Sequence, residues 1–160
     1  MSLTGKPLAE VRSPLLREIH AYWEEKRGTR SLPAREDFDP LDFPRLLPNV
    51  ILMDVLPPEG RLKVRLVGTL VVQMFGGDYT GLYLDQIDFG DMRQKILDEY
   101  GAAAQSANAV FTDHRFRKLG GGLVDIERVI LPLSQDGQRV TMLLALLDFT
   151  RRQEKSEMPL

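Results

Sequence analysis

The chain has no cysteine. That removes disulfides, thiolate nucleophiles and sulfur metal ligands, and it accords with a reducing compartment. Histidine is nearly as scarce. His20 and His114 are the only two, whereas a metal centre needs three or four convergent ligands. No His, Asp and Glu fall at ligand spacing, so no metal is expected. Positive charge is not in excess: 21 Lys and Arg stand against 23 Asp and Glu, for a net charge of -2. No global basic field exists to gather nucleic acid or anionic lipid, and neither is an expected partner. No apolar run approaches the roughly 18 residues needed to span a bilayer, and MSLTGKPLAEVRSPLL lacks the apolar segment of a secretory signal. A soluble, cytoplasmic protein is the expectation.

Catalytic motifs are missing too. There is no Gly-x-Ser-x-Gly elbow, phosphate loop or dinucleotide fingerprint. Asp113 sits beside His114, but neighbours on a strand point to opposite faces. Gly120-Gly121-Gly122 would cradle a phosphate only if a helix followed, and the next residues read as a strand. What remains is 160 residues with 43% hydrophobic content, enough for one domain with a real core.

Leu8, Val11, Leu15, Leu16, Ile19, Tyr22 and Trp23 recur at three- and four-residue spacing, the pattern of an amphipathic helix. Ser13-Pro14 supplies its N-cap and first helical residue. The stripe needs a surface, either the chain's own sheet or a second copy of the chain. Lys26 to Pro48 holds Pro33, Pro40, Pro44 and Pro48, which forbid a long helix. Asp39-Pro40 reads as the start of a short helix over Leu41 to Leu47. Arg27, Arg30 and Arg35 here either fasten the loop by pairing with Glu36, Asp37 and Asp39 or hold an acidic partner.

Strands are expected over Asn49 to Leu56, Arg61 to Val67, Ala109 to Lys118, Leu123 to Leu133 and Arg139 to Phe149. Gly120 to Gly122 joins the third and fourth, and Gln135-Asp136-Gly137-Gln138 is a hairpin signal between the last two. Between the second and third strands, Leu70 to Phe75 reads as a short helix ended by Gly76-Gly77. Thr80-Gly81 turns the chain back, and Asp91-Met92-Arg93-Gln94 has the spacing of a capping box opening a helix to Ala104.

Five strands with helices inserted between the second and third, a Gly-Thr after the second strand, an aromatic before a Gly corner and Thr80-Gly81 before Leu84-Asp85-Gln86-Ile87 resemble the PAS sensory domains. The likeness extends to a divergent bacterial PAS family through Trp23, Arg27-Gly28, Pro33-Ala34-Arg35, Asp39-Pro40 and Leu47-Pro48. It runs from Trp23 to Thr150. The resemblance implies an α+β fold: a five-stranded antiparallel sheet with helices on one face and an N-terminal amphipathic helix. The chain then divides into an N-terminal helix and cap (1–30), the PAS-like domain (31–150) and a short tail (151–160). Asp148-Phe149-Thr150 resembles the motif that ends many PAS sheets and caps an outgoing helix. Output is expected to pass through another molecule.

The resemblance also implies a pocket between sheet and helices. Met74, Phe75, Tyr79, Tyr83, Tyr100 and Phe111 either line it or fill it. Arg115 and Arg128 lie mid-strand, and whichever points inward needs an anion, from a ligand or from an acid such as Asp85. Haem-binding members take a His from the long helix, and Asp91 to Ala104 has none. Photoactive members need a Cys, so the cofactor stays unassigned. N-terminal helices often pair in this family, which suggests a homodimer through Leu15, Ile19 and Tyr22. The leading expectation is a non-enzymatic sensory or interaction module that binds a small apolar or weakly acidic ligand and acts on a separate signalling protein. The alternatives are a small enzyme using Asp113, His114 or Arg128, and a structural assembly protein.

Overall fold

A computed structural model describes residues 5–117 and 122–151 of the chain. Five strands form one antiparallel sheet: β1 (Val50–Leu56), β2 (Arg61–Val67), β3 (Val110–Arg117), β4 (Leu123–Leu133) and β5 (Met142–Arg151), in the order β2-β1-β5-β4-β3. The first and last strands therefore pair at the centre. β4 and β5, which pair over ten residues, read almost as continuous apolar runs because both faces of the sheet are covered.

One face carries α1 (Pro14–Arg27). Ser13 caps it, its hydroxyl accepting from the amides of Leu15 and Leu16, and Pro14 occupies the first turn, where no intrahelical donor is needed. Leu16, Ile19 and Trp23 are buried against Val129, Leu131 and Leu146 of the sheet. The Trp23 indole N–H donates to the Pro132 carbonyl at 2.9 Å, satisfying its one polar atom. The stripe thus belongs to the chain's own core. This corrects the assignment of Ile19 to a dimer interface, since it is fully buried. Leu15 is half-buried on the same core. Tyr22, also half-buried, packs edge-on to Phe38 and Phe43, and its hydroxyl donates to Asp42 at 2.8 Å.

The proline-rich segment closes over that layer as three short 3-10 turns. Asp39 does cap, accepting from the Leu41 amide at 2.9 Å, but Pro44 divides the expected 41–47 helix into two turns. Arg30 pairs with Asp37 at 2.6 Å. Arg27 reaches Glu24 of α1 instead, and Arg35 donates to the Phe38 carbonyl. These local bonds favour the fastening role.

The other face carries α2 (Thr69–Phe75) and α3 (Arg93–Ser106). Gly68, at the mouth of α2, donates its amide to Val50 at 2.7 Å. A Cβ there would collide with the carbonyl oxygens of Leu47 and Pro48, so only glycine lets the backbones approach so closely. Gly81 has φ +91°, as its corner requires, and the chain returns to pair with β2 through Val64. The capping box at Asp91 is absent: Gly90 to Met92 form a 3-10 turn, α3 starts at Arg93, and Gln94 bonds Asp98. The last strand begins at Met142, because the Asp136 carboxylate takes the amides of Gln138 and Arg139 and holds them in the turn. Gly120, Gly121 and the expected outgoing helix after Arg151 lie outside the described residues.

Candidate functional site

A cavity of about 390 Å³ lies between the sheet and the α2–α3 layer. Ile51 and Met53 of β1, Val64 of β2 and Leu147 of β5 form its floor, because alternate residues of those strands share one face. Met74, Phe75 and Tyr79 from α2 and the turn after it, with Phe89 and Ile96, form its roof and walls. The volume equals roughly a dozen waters at the ~30 Å³ each takes in the liquid, which suits a small organic molecule. No helix among the described residues is long and apolar enough to cross a membrane, and none of their acidic or His groups clusters to hold a metal.

Of the eight residues expected at this pocket, Met74, Phe75, Tyr79, Tyr100 and Arg128 line it, and Arg115 borders it. Two lie elsewhere. Tyr83 lies under the Arg61 guanidinium, 3.7 Å from ring centre to Cζ, with Lys63 nearby. Phe111 faces the α1 layer, edge-on to His20, because its place in β3 has the parity of that face. Arg115 is half-exposed and turned to Asp125, 3.1 Å away. Arg128 is therefore the inward arginine.

Its partner is not Asp85, which forms a bidentate pair with Arg61 at 2.9 Å on the outside. Glu99 of α3 takes that role. Arg128 Nη2 donates to Glu99 Oε1 at 2.6 Å, and both side chains are almost wholly buried. Lys95, one turn earlier, donates to Glu99 Oε2 at 3.0 Å, to the Asp113 carbonyl at 3.1 Å and towards His114 Nδ1 at 3.3 Å. His114 Nε2 stands 2.8 Å from Glu99 Oε1 without the alignment of a hydrogen bond. The guanidinium of Arg128 lies over the Tyr100 ring at 4.5 Å. Its Nε–H is buried and has no acceptor.

Burial alone would push the Glu99 pKa up, but contacts with His114, Arg128 and Lys95 prevail and hold it near 2. Burial lowers the His114 pKa, against the opposing pull of Glu99, and this favours the neutral ring at physiological pH. Burial also raises the Tyr100 phenol. Glu99 and Lys95 are not among the residues expected at the site. Their signal was a glutamate three residues after Ile96 and four before Ala103, on the buried stripe of α3, with a lysine one turn before it.

The Asp113 and His114 side chains part as strand geometry requires. Asp113 meets Lys6 at 2.8 Å and Arg12 at 3.1 Å on the α1 face, while His114 lines the cavity.

A two-sided sheet with its first and last strands paired at the centre and a mainly apolar cavity under its helical layer defines an α+β domain. The chain belongs to the PAS-domain family, whose model matches residues 11–148. Among solved structures it is similar to the LOV protein of Rhodobacter sphaeroides, at TM-score 0.52 and 16% identity over 75% of this chain and 73% of that one. A PAS domain of a Colwellia psychrerythraea protein matches at TM-score 0.51 and 12% identity, covering 72% of this chain and all of that one. The LOV domain of a blue-light activated histidine kinase from Erythrobacter litoralis matches at TM-score 0.50 and 10% identity, over 64% and 95% of the two chains. At such identities the likeness is one of fold. No curated protein matches the chain. The cysteine needed for a covalent flavin adduct is missing from the sequence.

Proposed function

We propose that this domain is a non-enzymatic sensory module that takes a small, mostly apolar molecule into the cavity and passes its occupancy to a separate signalling protein in the cytoplasm. The observation that carries the reading is the 390 Å³ space itself, apolar on most sides and bordered by the buried Arg128. Few polar groups are enough to orient a ligand in such a site. An enzymatic reading gains one point from the structure, the contact of Glu99 with His114 at the cavity wall. A carboxylate held near pKa 2 is a weak base at neutral pH, and none of the lining residues is a Ser, Thr or Cys nucleophile.

Native mass spectrometry of freshly purified protein, beside its absorption spectrum, tests the reading. Bound small molecule is expected in the wild type and none in Met74→Trp, where a larger ring takes up cavity space at a half-buried lining position. Arg128→Met is a poorer test, because stranding a buried charge partner costs roughly 3–5 kcal/mol and Glu99 would be left behind. Equal retention by wild type and Met74→Trp would place the ligand outside the cavity and refute the proposal.

A further inference from the structure

We propose that a ligand enters and leaves the cavity through one mouth, between the end of α2 and the Asp88–Met92 turn, and that Gln73 on its rim sets how fast a molecule can pass. The inference rests on the reading of the cavity as a ligand site and adds the route to it. Most of the lining is closed to solvent. Ile51, Met53, Val64 and Leu147 of the floor are buried, and so are Val71 and Ile87 of the covering layer. Among the described lining residues, exposure is confined to Gln73, Gly76, Asp88 and Arg115. A residue that touches both cavity and solvent marks where the two meet.

These four residues fall on three segments. Gln73 and Gly76, three positions apart, share one side of the end of α2. Asp88 stands between the buried Ile87 and the half-buried Phe89. Arg115 borders the opening from β3, with its side chain turned to Asp125. The two banks in the helical layer are held separately. The Gly76 amide bonds the Val72 carbonyl of its own helix at 2.8 Å. Across the gap, Asp88 accepts from the Gly90 amide at 2.9 Å, the Phe89 carbonyl accepts from the Met92 amide at 3.2 Å, and Arg93 donates to the Asp85 carbonyl at 3.1 Å. Among the described residues no hydrogen bond or ion pair joins Gln73 or Gly76 to that turn, so the gap can widen without breaking one. Gly76 has no side chain, and those of Asp88 and Arg115 are engaged. Gln73 is the rim residue whose side chain has no hydrogen-bond partner among the described residues and is free to swing across the opening.

A side chain in the mouth changes the barrier that entry and exit share and leaves the bound state as it was. Rates should therefore move while affinity holds. Stopped-flow fluorescence with 2-acetyl-6-dimethylaminonaphthalene, a neutral dye whose emission shifts when it leaves water, reads association on mixing and release on dilution. Gln73→Trp should slow both by about fivefold or more, and Gln73→Ala should quicken both, with the ratio of the two rates kept within about twofold. Leu82→Trp, at an exposed site outside the lining, should leave both rates at the wild-type value. Unchanged rates in the two Gln73 variants, with Met74→Trp still weakening the dye, overturn the route and leave the cavity reading intact. A change confined to release overturns it too, since Gln73 would then be a contact of the bound dye. If the wild type does not bind the dye, or Met74→Trp binds it as tightly, the cavity reading falls and this inference with it. Should Gln73→Trp not fold, Gln73→Ala decides alone: faster entry and exit support the mouth, and wild-type rates refute it.

Discussion

Ile19 offers the sharpest contrast between the two surfaces open to the N-terminal stripe. It is fully buried among Leu16, Trp23, Val129 and Leu131, so replacing it should unfold the chain and not merely separate two copies. Ile19→Ala removes three carbons from a closed core, at a cost of roughly 2–5 kcal/mol. A domain of this size shifts its melting point by about 2–4 °C per kcal/mol, which gives a fall of roughly 4–20 °C. Ile19→Glu adds the cost of burying a carboxylate, and the total approaches the ~5–15 kcal/mol that holds a typical domain together. Leu41→Glu makes the same kind of change at a site 83% exposed, and its effect should stay within about 0.5 kcal/mol. Circular dichroism melts and light scattering read both outcomes. If Ile19→Glu gives a folded monomer with the wild-type melting point, the packing of α1 on its own sheet is refuted and the pairing of two helices restored.

Gly81→Val should destabilise by roughly 1–3 kcal/mol from backbone strain alone, since φ is +91° and no atom lies within 4 Å of the added Cβ. An unchanged melting curve would remove the need for glycine at that corner. Stability should also fall in acid. Glu99 has a folded pKa near 2 against an ordinary 4.5, so the folded state binds its proton later than the unfolded one. Its contribution, at most about 3 kcal/mol at 1.36 kcal/mol per pKa unit, is complete above about pH 4.5 and lost as pH falls through 2. His114, with its pKa lowered from 6.5, acts in the same direction from that pH downward. Urea unfolding of wild type and Glu99→Gln between pH 7 and 3 should show a shallower acid loss in the variant, and parallel curves would contradict the network.

Local chemistry decided much of this protein in its sequence. Ser13-Pro14 starts α1 because a hydroxyl cap and a residue with no N–H suit the first turn of any helix. The ends of β2 and β4 follow from alternation and from turn residues that act over four or five positions. Where a neighbouring turn outbid the pattern, the expected boundary moved. Asp91 does not cap because it lies inside the 3-10 turn Gly90–Met92, and Arg139 does not begin a strand because Asp136 holds its amide. The site shows the same division. Met74, Phe75, Tyr79 and Tyr100 were legible as aromatic and thioether residues beside a gap. Tyr83 and Phe111 were misplaced because a residue's type does not say which side of a sheet it faces. The choice of Glu99 over Asp85 as partner of Arg128 depends on how α3 lies across β3 and β4. Only packing brings residues 29 positions apart to 2.6 Å.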